Sequence, residues 1–324
     1  MLTIPLETEL PKPEILAVAK LAPFLLAPLR ESFVVHDQIH QSDPAAFSAA
    51  APRIRAIVGG GESKVPRSLQ NQLPALEMIS IMGVGYDGVD VAAALERRIS
   101  VTHTPGVLND DVADLAIGLM LSVARRIPQS DRYVRNGRWP ESPMPLARKV
   151  SCARLGIVGL GRIGQAIATR AEAFGMSVAY TARSRKADLT YAFYPTAQTL
   201  AARVDFLVLI APGGAATRKM INADVLKALG PQGYLINVAR GSLVDEAALV
   251  EALQQGVIAG AGLDVFENEP NVPSALWGMD NVVLTPHIGS ATQQTRSAMA
   301  NLALANLRAH FAGEPLLTPV PEWQ

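Results

Sequence analysis

Residues 155–186, LGIVGLGRIGQAIATRAEAFGMSVAYTARSRK, constrain this chain more than any other stretch. An apolar run of strand length leads into Gly159, Gly161 and Gly164 in G-x-G-x-x-G spacing; an amphipathic helical pattern follows, and SVAYT supplies a second strand. The first glycine permits the tight turn, the second lets a pyrophosphate approach the backbone, and the third allows close helix–strand packing. The pyrophosphate then lies on amides at the helix N-terminus, so Leu160, Arg162 and Ile163 join the glycines as candidate cofactor contacts. Such glycines can also be a turn with no ligand. The strand before them, the helix after them and the second strand favour a dinucleotide.

The end of that second strand decides which dinucleotide. A carboxylate about 20 residues past the glycines hydrogen-bonds the ribose 2′-hydroxyl of NAD, whereas a nearby Arg accommodates the 2′-phosphate of NADP. Here Ala182 stands at the carboxylate position, followed by Arg183, Ser184, Arg185 and Lys186. Ala182 removes a repulsion, Arg183 offers a planar fork suited to phosphate, and Ser184 offers a hydroxyl. This predicts NADP(H) preferred over NAD(H), with Arg183, Ser184 and Arg185 at the cofactor. A solvated basic loop is the alternative, and whether Arg185 and Lys186 touch the phosphate stays open.

The chain of 324 residues has room for two domains. Apolar runs of strand length alternate with helical patterns, as in parallel α/β sheets. EILAVA, SFVVHD, IRAIVGG, LEMISIMG and ISVTHTP form a first series; RLGIVGLG, SVAYTA, DFLVLIAP, GYLINVAR, VIAGAGLDVF and NVVLTPH form a second. The fold class expected is α/β, with two doubly wound parallel sheets. DDVADLAIGLMLSVARRIPQSDRYVRNGRW, between the series, reads as one inter-domain helix, and ATQQTRSAMANLALANLRAHFAG as a closing helix ended by Gly313 and Pro315.

Composition excludes several classes. With 49% apolar and 18% charged residues and a formal net charge of zero, no global field favours nucleic acid or an anionic membrane. Cys152 is the sole cysteine, so no intramolecular disulfide is possible; it reads as a partly buried small residue. The N-terminus has Glu and Pro where a signal peptide needs a basic region and an apolar core. LAPFLLAPL, residues 21–29, is too short to span a bilayer and holds two prolines. The expectation is a cytoplasmic protein with neither nucleic-acid nor membrane partner.

Three strand ends of the second series carry ionisable residues. INVARGSLVDEAAL presents Arg240 before a helix, GLDVFENEP offers Asp264, Glu267 and Glu269, and VVLTPHIGSAT places His287 after a strand and a proline. Ligands of open α/β sheets bind beyond the carboxyl ends of strands, so all three segments can face one crevice with the nicotinamide. Reduction of a carbonyl to an alcohol needs this set. His287 can give the developing alkoxide its proton, Glu269 can fix the imidazole tautomer, and Arg240 can grip a substrate carboxylate. Alone, a histidine after a strand is as readily a cap or packing residue. His36, His40, His103 and His310 lie elsewhere, lack metal-ligand context and read as surface or packing residues; no metal is expected.

MGVGYDGVDVAAALERRISVTHTPGVLNDDVADLAIGLML, LGIVGLGRIGQAIATRAEAFGMSVAY, LINVARGSLVDEAALVEAL, GLDVFENEP and LTPHIGSAT occur in this order. In them the chain resembles the D-isomer-specific 2-hydroxyacid dehydrogenase family, and within it the glyoxylate/hydroxypyruvate reductase branch. The resemblance implies a flavodoxin-like substrate domain from residues 1–103 and 291–324, discontinuous and closed by the C-terminal helix, and a Rossmann domain over 104–290. It implies Arg240, Glu269 and His287 as catalytic residues. The amides of Val84 and Gly85 would hold the substrate carboxylate, with Arg240 and Ser290 also at the substrate. Asp264 would bind the nicotinamide amide, Ala211, Pro212 and Thr217 would line the adenine side, and Val238, Ala239, His287 and Gly289 would complete the cofactor site. It further implies a homodimer in which Trp139 reaches the partner subunit's site, interface packing being the alternative for that residue. One departure stands out: APGGAATRKMIN replaces the usual PxTxxT-like loop, and its two glycines leave more freedom where the adenine contacts are implied. VAYTARSRK matches the NADPH-preferring pattern, in agreement with the charge argument.

The function expected is an NADPH-preferring reductase of small 2-oxo acids, glyoxylate or hydroxypyruvate, giving glycolate or D-glycerate. Reduction of bulkier 2-oxo acids such as phenylpyruvate or 2-ketogluconate is the alternative. A third reading, a non-catalytic dinucleotide sensor or corepressor, needs none of Arg240, Glu269 and His287.

Overall fold

The computed structural model describes residues 11–323; the N-terminal segment read as lacking a signal peptide falls partly outside them. The chain divides into two compact units, Met1–Val107 with Gln293–Gln324, and Leu108–Thr292.

In the first unit, strands β1 (Glu14–Ala17), β2 (Val34–Asp37), β3 (Ile54–Gly60), β4 (Met78–Met82) and β5 (Ser100–Thr102) form a parallel sheet in the order β2-β1-β3-β4-β5. β4 is buried at every position, because helices cover both faces of a parallel sheet. Ile15, Leu16, Ile57, Ile79 and Val101 are sealed from solvent. The helix Gln293–Ala312 lies on this sheet, where Ala303 O accepts a 3.4 Å bond from the Ser80 hydroxyl. It stops at Gly313, whose φ of 71° lies in the left-handed region.

The second unit holds β6 (Arg154–Val158), β7 (Ser177–Thr181), β8 (Ala192–Phe193), β9 (Phe206–Leu209), β10 (Tyr234–Asn237), β11 (Gly260–Leu263) and β12 (Val282–Leu284). They run parallel in the order β12-β11-β10-β9-β6-β7-β8, so the winding reverses at β6. The carboxyl ends of β6 and β9 therefore flank a topological switch point, where such sheets bind ligands. Both sheets belong to the doubly wound α/β class expected.

Three local features depart from expectation, and the apolar run 21–29 gains a secondary structure. The segment read as one helix is two, Asn109–Ala124 and Ile127–Arg135, hinged at Arg126 with φ 55°. Pro128 has no N–H, and its ring would strike the carbonyl four residues earlier, at Ala124, where the first helix ends. The apolar run 21–29 belongs to a helix, Pro23–Ser32, opened by a proline in its first turn. β8 is too short to read in sequence. Cys152 is exposed, not partly buried: it occupies a left-handed turn (φ 64°) ahead of β6, where its N–H reaches Phe174 O at 3.0 Å. Among the described residues no helix is long and apolar enough to cross a membrane.

Candidate active site

The glycine loop joins β6 to the helix Arg162–Ala173. Gly159 has φ 101°, and a Cβ there would lie 2.7 Å from the Ala211 nitrogen beyond β9. At Gly164 a Cβ would lie 2.3 Å from Gly159 O, so strand and helix touch backbone to backbone. Gly161, the residue before the helix, faces open space. Its neighbours Leu160, Arg162 and Ile163 are buried, exposed and half-buried respectively. The cradle thus has the bare backbone and unencumbered helix terminus that a pyrophosphate needs.

β7 delivers Ala182 and then four exposed residues, Arg183, Ser184, Arg185 and Lys186. The Lys186 N–H donates to the hydroxyl of buried Tyr180 at 2.7 Å. Beyond β9, Ala211, Pro212 and Thr217 form a closed turn: the Thr217 hydroxyl donates to Pro212 O at 2.8 Å, and Gly214 O accepts the Thr217 and Arg218 N–H groups at 3.2 and 3.0 Å.

β10, β11 and β12 are neighbours, and their register aligns Asn237, Leu263 and Leu284 in one row. Arg240 and His287 each follow that row by three residues and leave strands two spacings apart, about 9–10 Å. The buried Asn237 side chain clamps the Arg240 loop: its Nδ2 donates to Arg240 O at 3.0 Å and its Oδ1 accepts the Ala239 N–H at 3.1 Å. Gly241 fits because it has no side chain, since a Cβ would lie 1.9 Å from the Phe266 carbonyl carbon. The Arg240 turn is thereby locked against the turn that carries Glu269.

Glu269 closes the constellation. Its Oε2 meets His287 Nδ1 at 2.7 Å, and its Oε1 accepts the Phe266 N–H at 2.9 Å; the Glu269–Pro270 peptide is cis. Burial works to raise the Glu269 carboxyl, but the bonds from His287 and Phe266, with the charges of His287 and Arg240, leave it below its ordinary value. A carboxylate on Nδ1 fixes the tautomer with the proton there and commits Nε2 to exchange with a ligand. His287 has φ 54°, a left-handed conformation seldom adopted outside glycine.

Asp264 organises the loop around His287. It is 1% exposed; Oδ1 accepts the Thr285 hydroxyl at 2.6 Å and the Ile288 N–H at 2.8 Å, Oδ2 accepts the Gly289 N–H at 2.8 Å, and its carbonyl accepts the His287 N–H at 2.9 Å. Burial raises its carboxyl, partly offset by these bonds. Val238 and Ala239 are buried beside the Arg240 turn, and Ser290 is half-buried after Gly289. Val84 and Gly85 belong to the first unit, in the loop after β4, where Val84 O lies 2.9 Å from His103 Nδ1. Trp139 is 69% exposed and lies outside the segments that follow these strands in sequence. Sequence reasoning missed Asn237, Gly241 and Glu246, whose Oε1 accepts the Glu267 N–H at 3.1 Å. The missed signal was the N-x-x-R-G-x-x-x-x-E spacing around Arg240.

The family model described as D-isomer specific 2-hydroxyacid dehydrogenase, NAD binding domain, matches residues 117–289. The chain is 51% identical over 270 residues to hydroxyphenylpyruvate reductase of Plectranthus scutellarioides, covering 83% of this chain and 86% of that one. It is 50% identical over 267 residues to glyoxylate/hydroxypyruvate reductase A HPR2 of Arabidopsis thaliana, covering 82% and 85%. The crystal structure of an NADPH-dependent glyoxylate/hydroxypyruvate reductase from Sinorhizobium meliloti, in complex with NADP and malonate, superposes with a TM-score of 0.91 at 49% identity, covering 96% and 98% of the two chains.

Proposed function

The chain belongs to the D-isomer-specific 2-hydroxyacid dehydrogenase family, binds a nicotinamide dinucleotide and is an oxidoreductase, and from that premise we propose that it reduces small 2-oxo acids, glyoxylate and hydroxypyruvate, with NADPH preferred over NADH. The observation that carries the reading is the 2.7 Å Glu269–His287 pair, set beyond β11 and β12, the next two strands in the sheet from the one that bears Arg240.

The nicotinamide, when bound, supplies the hydride. The glycine loop, from Gly159 to Gly164, is assigned to the pyrophosphate, and Ala211, Pro212 and Thr217 to the adenine side. Arg240 takes the substrate carboxylate and polarises the adjacent carbonyl. His287 donates its Nε2 proton to the developing alkoxide, while Glu269 holds the Nδ1 proton and stabilises the imidazolium that precedes transfer. Val84, Gly85 and Ser290 keep the substrate roles that the family resemblance gives them. Asp264 shapes the loop from Thr285 to Gly289 and so aims His287. NADPH preference draws support from Ala182 in place of a carboxylate and from the exposed Arg183, Ser184 and Arg185, as well as from the NADP complex of the Sinorhizobium relative. Exposed apolar side chains at Ile127, Val134, Trp139 and Leu146, all in one segment, support a homodimer in which Trp139 meets the second subunit.

The test is NADPH oxidation with glyoxylate, hydroxypyruvate, hydroxyphenylpyruvate and 2-ketogluconate. The small acids are expected to give the higher kcat/KM. Efficient turnover of hydroxyphenylpyruvate alone would favour the second reading, bulkier 2-oxo acids, which the Plectranthus relative supports. Cofactor binding without turnover of any acid would favour a sensor.

A further inference from the structure

We propose that the hydroxyl of Tyr180, buried in the second sheet, holds the 183–186 segment in the shape that reads a 2′-phosphate, and so sets cofactor selectivity without touching the cofactor. The inference rests on the assignment of Arg183 and Ser184 to that phosphate.

Tyr180 is the fourth residue of β7 and has no solvent exposure. Its ring packs on Phe193, its register partner in β8, at 5.4 Å between centroids, and its carbonyl accepts the Tyr194 N–H at 2.8 Å. Backbone and ring are thus fixed on one side by the edge strand. The far end of the side chain passes under the turn that follows β7 and meets the Lys186 N–H at 2.7 Å.

The turn itself has little else to hold it. Arg183, Ser184, Arg185 and Lys186 are exposed. Among the described residues no other hydrogen bond ties 182–186 to the body of the unit, and the bond from the Leu189 N–H to Lys186 O, 3.4 Å, stays within the loop. Two arginines on an untethered turn would have to be ordered each time a phosphate binds, which weakens association by the entropy of immobilising them. A tether to a rigid buried ring fixes the exit of the turn before the ligand arrives. NADPH and NADH differ only at the 2′ position, so a group acting through this turn changes one affinity and leaves the other. General damage to the sheet would change both.

The test is Tyr180→Phe in the full chain, which keeps the ring packed on Phe193 and removes only the hydroxyl. The readouts are the kcat/KM ratio for NADPH over NADH at saturating glyoxylate, and calorimetric binding of NADP+, NAD+ and adenosine 2′,5′-bisphosphate. The NADPH/NADH ratio is expected to fall about five-fold, inside the ~2- to ~12-fold range of one neutral hydrogen bond, with the loss in KM and not in kcat. Binding of NADP+ and of the bisphosphate should weaken alike, and NAD+ binding should hold. An unchanged ratio, or equal losses for both cofactors, overturns the proposal. Arg183→Ala, run in parallel, separates the two levels. A lower ratio in Arg183→Ala with none in Tyr180→Phe leaves the phosphate assignment standing and removes the role of Tyr180. The reverse pattern keeps the tether and moves the phosphate contact to another residue of the turn.

Discussion

Replacing Glu269 by glutamine isolates what its charge does, because an amide oxygen can still accept the His287 Nδ1 proton. A hydrogen bond to a charged group contributes about 1.5–3 kcal/mol. The 2.7 Å bond lies between side chains 24% and 32% exposed, so water screens part of it. An effect of about 1.4 kcal/mol, one pH unit or a factor of ten, is the appropriate figure. Reduction needs His287 protonated, and the carboxylate favours that state. In Glu269→Gln the basic limb of kcat/KM for NADPH-dependent reduction should move about one unit toward lower pH, with activity above it down about ten-fold. The acid side follows from the lowered Glu269 carboxyl. A group depressed in the folded state stabilises the fold above its unfolded value, and that contribution disappears as pH falls through the folded value. Thermal melting in acid should therefore show a smaller loss of stability in Glu269→Gln than in wild type. A basic limb that stays in place, with the rate lowered equally at every pH, would refute the coupling and leave Glu269 a purely steric prop.

Other outcomes follow from the same site. Arg183→Ala should weaken NADPH binding by about 1.5–3 kcal/mol and leave NADH nearly untouched, as measured by titration with each cofactor. His287→Ala should cut kcat by about 10² or more with the NADPH dissociation constant intact, a split read from steady-state and binding data together. Gly241→Ala forces a Cβ to 1.9 Å from the Phe266 carbonyl carbon. Overpacking of about 1–3 kcal/mol should lower the Tm by several degrees, and displacement of the Glu269 turn should lower kcat.

The sheets were legible because buried parallel strands read as unbroken apolar runs: IRAIVGG and DFLVLIAP need no context. β8, with two residues, has no such run and is defined by its pairing with β7, Ala192 on Ala179 and Phe193 on Tyr180. The break at Arg126 was obscured because apolar spacing continues through it; Pro128 was the local signal. At the candidate site, residue types were legible where a charged side chain follows a strand, as at Arg240 and His287. The supports were not. The amide held by Glu246 and the three donors on Asp264 join side chains to groups of other loops, pairings that depend on how strands stack, and the Asn237 clamp depends on how its own loop folds back. Lys186 is a similar case, since nothing in its sequence says that its amide is the part that matters.

The left-handed backbone of His287 has a consequence for how such chains age. A residue with a Cβ held at φ 54° costs the fold about 1 kcal/mol or more, and glycine at the same position would relieve it. Turnover and the bond to Glu269 thus hold in place a side chain that the backbone alone disfavours. In a duplicated copy freed from its chemistry only that bond would remain as a reason for histidine, and glycine or asparagine would be the residues to look for there. Comparing His287→Asn with His287→Ala offers the direct check: both abolish reduction and both lose the imidazole, so a higher Tm for asparagine, which tolerates the left-handed region, would show that the fold bears a standing load for the sake of its proton donor.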